Sequence, residues 1–313
     1  MKIGLIDVDG KNFPNLALMK ISAFYKQMGA TAEWWTGNFT YYDVVYKAKV
    51  FTEEYSSDIP NPINARIVIK GGTGYSLKTK LPPEIEGMMP DYSLYPNFKV
   101  AYGFLTRGCP RNCGFCIVGK KEGLCSHKVA NLSQFWSGQK QIKLLDPNLL
   151  ACKKHMELIE QLQSSKVNVD FTQGLDARCI TKENAIALSK VKTSMAHFAF
   201  DFMKDEKQVF LGLEIYKNET NIDSRKTGVY ILTNFDTTHQ QDLYRIKRVQ
   251  ELGYMPYVMI YNKSSAPRET RRLQRWCNNR IIYRASGENF DNYSEELENG
   301  KPQECNGQIR LEA

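Results

Sequence analysis

Three absences frame the sequence. No run of eighteen apolar residues occurs, so no membrane-spanning helix and no membrane partner are expected. The N-terminus, Met1-Lys2-Ile3-Gly4-Leu5-Ile6-Asp7, turns acidic too early for a secretory leader and reads as a first strand. A cytoplasmic protein is therefore expected, with reduced thiols that serve as metal ligands, catalytic groups or core residues. None of the eight cysteines precedes Cys109, and none of the four histidines precedes His127. That excludes a thiolate-held cluster or a His-ligated metal in the first third of the chain.

The 313 residues have room for two domains, or for one large α/β domain with an appendage. Their net charge of +8 is unevenly spread. Residues 1–98 are neutral, with ten basic and ten acidic side chains. Residues 288–313 carry two basic and seven acidic side chains and read as an acidic tail. Residues 99–287 hold thirty basic against seventeen acidic side chains. A basic middle suits an anionic substrate or nucleic acid, and it is also what a Lys-rich solvated surface gives.

From residue 99 onward, short apolar runs alternate with longer amphipathic segments, the pattern of βα units around a parallel sheet. Strands are expected at 100–105, 142–145, 167–171, 196–200, 228–232 and 257–261. Helices are expected near 132–136, 151–164, 182–190, 206–216, 240–252 and 269–277. The fold class is α/β, a partial (β/α)6 barrel over 99–287, preceded by a small Rossmann-like α/β domain over 1–98. Function in such folds gathers at the C-terminal strand ends. Those ends are polar here, with Arg107, Asp146, Asn148, Gln173, Asp176, Arg178, Asp201, Asn234, Asp236 and Asn262. Each alone reads equally as a turn residue or a helix cap. In the first domain, Gly71-Gly72-Thr73-Gly74 follows the last expected strand. It reads as a tight turn or as a cradle for a phosphate or cofactor tail, without matching the dinucleotide fingerprint. The Pro-containing run from Leu81 to Pro96 reads as an ordered linker.

The most specific stretch is Thr106-Arg107-Gly108-Cys109-Pro110-Arg111-Asn112-Cys113-Gly114-Phe115-Cys116. Three thiols lie in one loop directly after a strand. Thiolates are the normal ligands of an iron–sulfur cubane, and three of them leave its fourth iron open. Zinc is the inorganic competitor, but a closed zinc site needs a fourth ligand, here Cys125 or His127. A redox Cys113–Cys116 pair would leave Cys109 without a role.

Cys-x-x-x-Cys-x-Φ-Cys after the first strand of a six-unit βα array resembles the radical S-adenosylmethionine (SAM) superfamily, over roughly residues 99–287. The resemblance implies a [4Fe–4S] cluster on Cys109, Cys113 and Cys116, with SAM chelated to the open iron. It implies reductive cleavage of SAM to a 5′-deoxyadenosyl radical that takes a hydrogen atom from a substrate. An electron donor such as flavodoxin or ferredoxin is the implied partner. The family's Gly-Gly-Glu segment has no counterpart, and Leu145-Asp146-Pro147-Asn148 stands in its place. Asp146 or Asn148 is then expected at the SAM ammonium. Arg178, in Gln173-Gly174-Leu175-Asp176-Ala177-Arg178, is expected at its carboxylate, or else in a salt bridge to Asp176 or Glu183. Gln173, Asp201 and Asn234 are expected around cofactor or substrate from strand position alone.

An α/β domain ahead of the barrel resembles two subgroups. Methylthiotransferases hold a second cluster there, which the missing cysteines exclude. Cobalamin-dependent members often carry Asp-x-His-x-x-Gly, whereas Asp7-Val8-Asp9-Gly10-Lys11-Asn12 has no His, so cobalamin is doubtful. Cys125, Cys152, Cys179, Cys277 and Cys305 have no cluster spacing and read as buried thiols, with Cys125 an alternative acceptor near the loop. Arg268, Arg271, Arg272 and Arg275 share a broad helix face beside Trp276, and Arg280 and Arg284 follow. The stretch 268–284 reads as a nucleic-acid contact with Trp276 as a stacking surface, or as a solvated helix face. The functional alternatives are a cobalamin-dependent methyltransferase and a non-catalytic metal-binding, nucleic-acid-associated module.

Overall fold

The computed structural model describes residues 1–10, 13–37, 39–221 and 223–294. The acidic tail from 295 onward, Cys305 and the pair 11–12 lie outside the described residues. The chain begins with β1 (Lys2–Asp7), α1 (Leu16–Gln27), β2 (Thr31–Trp34), β3 (Tyr42–Ala48) and β4 (Ala65–Gly71). These strands form a parallel sheet in the order β2-β1-β3-β4. Helix α1 starts where the Asn15 side chain accepts the Leu18 amide. Its buried face, Leu18, Met19 and Ile21, packs on Ile3 and Leu5 of β1. The run from Leu81 to Pro96, expected as a linker, is part of this core. It contains α2 (Pro83–Glu86), and Ile85 and Leu94 are buried in the same cluster.

Next come β5 (Ala101–Gly103), β6 (Thr106–Arg107), α3 (Val118–Glu122), β7 (His127–Lys128), β8 (Gln141–Leu144) and α4 (His155–Ser165). The array continues with β9 (Asn168–Phe171), α5 (Lys182–Ser189), β10 (Thr193–Ala199), α6 (Glu206–Thr220) and β11 (Thr227–Thr233). It ends with α7 (His239–Glu251), β12 (Met255–Ile260), α8 (Arg268–Asn278) and α9 (Arg280–Ala285). Six of these strands hydrogen-bond in the order β12-β11-β10-β9-β8-β5, so each pairs with the next in sequence. The protein is thus mixed α/β with parallel sheets. Capping boxes at Thr181/Asn184 and Thr238/Gln241 start α5 and α7. No helix among the described residues is long and apolar enough to cross a membrane.

The apolar run 100–105 differs from its expected single strand. It splits into β5 and β6, and β6 leaves the large sheet to pair antiparallel with β7. Gly103 marks the break, because a Cβ there would lie 2.2 Å from the Phe135 ring. The chain divides into two compact units, Met1–Ala196 and His197–Ala313, and the division falls inside β10. Residue 98, where the sequence suggests a boundary, lies within the first unit. There Tyr92 donates its hydroxyl to the Phe135 carbonyl at 2.5 Å and accepts the Tyr102 amide at 3.0 Å.

In the second unit, Arg245 of α7 is fully buried and gathers the ends of β10 and β11. Its guanidinium donates to the carbonyls of Phe200 and Leu232 at 2.7 and 2.6 Å and to Asp242 at 2.6 Å. Strand β12 stands at the sheet edge, where unpaired backbone groups invite another strand. Helix α8 closes that edge. The Asn278 side chain accepts the Val258 amide at 2.8 Å and donates to the Val258 carbonyl at 2.9 Å, with Gln274 also donating to that carbonyl. Asn278→Ala leaves the Val258 N–H without this partner. Urea unfolding should show a loss of about 1–3 kcal/mol, with concentration-dependent self-association in sedimentation as the edge opens.

Candidate metal loop and the Asp176 network

The loop carrying Cys109, Cys113 and Cys116 is built from its ends inward. Strands β6 and β7 clamp it through the pairs Thr106↔Lys128 and Arg107↔His127. Asp146, buried just after β8, fixes where it begins. Its carboxylate accepts the Leu105 amide at 3.1 Å, the Thr106 hydroxyl at 2.6 Å and the Thr106 amide. Burial pushes the Asp146 carboxyl up to about 6, against the pull of these donors. Glu122 at the end of α3 joins the outgoing and returning chain by accepting from Arg107 at 2.8 Å and from the Gly108 amide at 3.1 Å. Gly108 is required twice over. Its φ is +83°, and a Cβ would sit 2.2 Å from the Cys125 carbonyl oxygen.

All three loop thiols are half-buried. A turn in which the Cys116 amide donates to the Cys113 carbonyl at 2.9 Å holds two of them close in the chain. The third, Cys109 Sγ, accepts the Asn148 side-chain amide at 3.6 Å. Among the described residues no group of three or more His, Cys, Asp or Glu side chains is gathered for a metal ion. His127, the zinc alternative's fourth ligand, is exposed, with Nδ1 on the Cys125 carbonyl at 3.1 Å.

Asn148 leads from the loop to a second centre. It is buried and donates to Asp176 at 3.0 Å as well as contacting Cys109. Asp176 also receives Arg178 Nε at 2.8 Å and Arg111 Nε at 2.7 Å. Arg178 thus pairs with Asp176, one of its two expected salt-bridge partners. Arg111, which lies between two of the loop cysteines, has no role that the sequence motif alone assigns. Its other end reaches Cys179 Sγ at 3.5 Å. The signal was present in the Cys-Pro-Arg-Asn-Cys spacing, but nothing local says that 111 and 176 meet. Burial works to raise the Asp176 carboxyl, yet the two guanidinium groups prevail and hold it below the usual carboxylate range. Burial pushes the Cys179 thiol up, with the Asp176 charge adding to it.

The other expected site residues are placed as follows. Gln173 is exposed. In the second unit, Asp201 accepts the Leu232 amide at 3.2 Å. Asn234 takes a left-handed φ of +61° and donates to the Tyr261 carbonyl at 2.8 Å. At the end of β4 the glycine loop packs tightly. A Cβ on Gly72 or Gly74 would lie 2.2 Å from the carbonyl oxygens of Lys49 or Phe51, and the Gly74 amide donates to Lys49 O at 2.9 Å. Asp9 accepts the amides of Val50 and Phe51. No family model and no curated protein matches the chain.

Asp176→Asn removes the shared counter-charge of two arginines. Breaking a fully buried pair costs about 3–5 kcal/mol, and the partial exposure of Arg111 reduces this to about 2 kcal/mol here. The sign with pH follows from the lowered carboxyl. The stabilisation is fully present above the unfolded value near 4 and disappears as pH falls through the lower folded value. Urea unfolding of both proteins should show a constant gap from pH 8 to 5 that closes in more acidic buffer.

Proposed function

We propose that the chain is a radical SAM enzyme, its βα array a partial (β/α)6 barrel and its loop cysteines the ligands of a [4Fe–4S] cluster. One observation carries the reading. Three thiols occupy a clamped loop that follows the first strand of a parallel sheet whose strands pair in sequence order. The donor chemistry fits the group, since three thiolates with an open fourth position suit a site-differentiated cubane better than tetrahedral zinc. With SAM bound and an external one-electron donor, such a cluster would supply reductive cleavage of the sulfonium to methionine and a 5′-deoxyadenosyl radical.

The chain's own residues position and tune. Asn148 directs an amide N–H at Cys109 Sγ, and a donor on a ligating sulfur disperses thiolate charge. Asp146 fixes the loop's first residues, which sets the direction in which Cys109 leaves the strand. Arg111 and Arg178 place two positive charges on one carboxylate. The remaining positive charge beside the loop suits the carboxylate of SAM's methionine moiety. The N-terminal sheet is a packing and entrance domain without cobalamin. Asp9, at the position of a lower ligand, is committed to backbone amides, and the glycine loop is filled by its own chain.

Anaerobic reconstitution with iron and sulfide tests this. The protein should bind about four irons and, with a reductant, release 5′-deoxyadenosine from SAM. Cys109→Ala, Cys113→Ala and Cys116→Ala should each abolish both properties. Uptake of zinc in tetrahedral geometry, with no deoxyadenosine formed, refutes the reading. Arg178→Ala should keep the iron and weaken SAM binding about 10- to 100-fold by calorimetry, the loss of one charge-assisted contact.

A further inference from the structure

The arginine-rich stretch that follows β12 does not present the surface its sequence suggests. Trp276 is 1% exposed, and its Nε1 donates to Ser286 Oγ at 2.7 Å. It belongs to the core beneath α8 and offers no stacking face. Arg272 turns the same way, with its guanidinium 5.3 Å from the Tyr293 ring and on the Tyr293 carbonyl at 3.0 Å. What remains outward is narrower. An open groove between β12, α8 and the start of α9 is lined by Tyr257, Lys263, Arg271, Arg275, Arg280 and Ile281, with three amide side chains among them.

Two features of this groove select its occupant. The first is charge. Four cations line it and no acidic side chain does. The one acidic residue between Asn262 and Ser286, Glu269, lies 3.3 Å from His239 Nε2 and is not part of the lining. Four cations in one groove without an acidic side chain in its lining suit a polyanion better than a single carboxylate. The second is an exposed aromatic side chain. Tyr257 is 46% exposed, and its ring forms a T-shaped pair with that of Tyr230, the centroids 5.7 Å apart, which holds it in place. Ile281, 80% exposed, adds an apolar surface at the other side. An ordered, accessible ring beside phosphate-binding cations is the pattern that stacks an unpaired base. A duplex keeps its bases stacked on one another and would leave Tyr257 unused.

We propose that this groove binds single-stranded nucleic acid. Lys263, Arg271, Arg275 and Arg280 take the phosphates, and Tyr257 with Ile281 takes a base. All six residues lie in the second unit, and the proposal does not rest on the loop cysteines holding a cluster.

The test is fluorescence anisotropy of the full-length protein with a labelled 12-nucleotide strand of mixed sequence. RNA and DNA arms and the corresponding duplex are run over a salt series. Binding in either single-stranded arm, tighter than to the duplex, is expected, and the tighter arm identifies the sugar. With four phosphate contacts, log K should fall against log salt with a slope of about −3. Arg275→Ala/Arg280→Ala should roughly halve that slope. Tyr257→Ala should weaken binding about 5- to 100-fold and leave the slope unchanged, while Tyr257→Phe should bind as the parent does. Circular dichroism of each variant checks that it is folded. No binding in either arm overturns the proposal, as does a duplex bound as tightly as the strands. Wild-type affinity in Tyr257→Ala or in the double arginine variant also overturns it.

Discussion

The contact on which the candidate site depends is the carboxylate of Asp146. It takes the Leu105 and Thr106 amides away from the large sheet and so decides that the apolar run 100–105 breaks after three residues. Without that acceptor the two amides would be buried and unsatisfied, a cost of about 1–3 kcal/mol each. Everything downstream inherits the geometry. β6 pairs with β7, Gly108 passes under the Cys125 carbonyl, and Asn148, two residues beyond Asp146, arrives beside Cys109. Asp146, one of the two residues that the sequence offers for a cofactor's ammonium, spends both carboxylate oxygens on the chain that leads into the loop.

Much of the fold was legible because its signals are local. The alternation of short apolar runs with longer amphipathic segments located the strands and helices of the βα array. The illegible parts are those set by tertiary contact. The split of 100–105 follows from Phe135 and Asp146, both more than thirty residues away. The burial of Trp276 follows from α9 and the turn after it, which supply Ser286 and Phe290 as its neighbours. The cysteine loop could be read from spacing alone, whereas the meeting of Arg111 with Asp176 could not, because 65 residues separate them.

The N-terminal sheet shows how a glycine-rich turn acquires two readings. Its strand ends are crowded with charge. Lys47 and Lys49 are buried, and they pair with Asp58 and Glu53 from the connection between β3 and β4. Those pairs fold the connection back over the strand ends, and the same backbone, Lys49 to Phe51, presses against Gly72 and Gly74. Glycine is required there by chain meeting chain. A cradle and a close-packed turn use the same residue for the same steric reason, and only the identity of the neighbour separates them.

The ion pair of Arg107 with Glu122 has a consequence for how the cysteine loop can be emptied or filled. The two ends of the nineteen-residue excursion from Gly108 to Ser126 are already joined by two strand pairs, and this ion pair ties the returning chain to its start. Most of the entropy of closing the loop is therefore spent during folding itself. A metal group, were one bound, would then select among rotamers of three side chains instead of among paths of the chain. This is the reverse of a small zinc module, which folds only around its ion. A chelator acting on such a loop would leave the surrounding architecture standing.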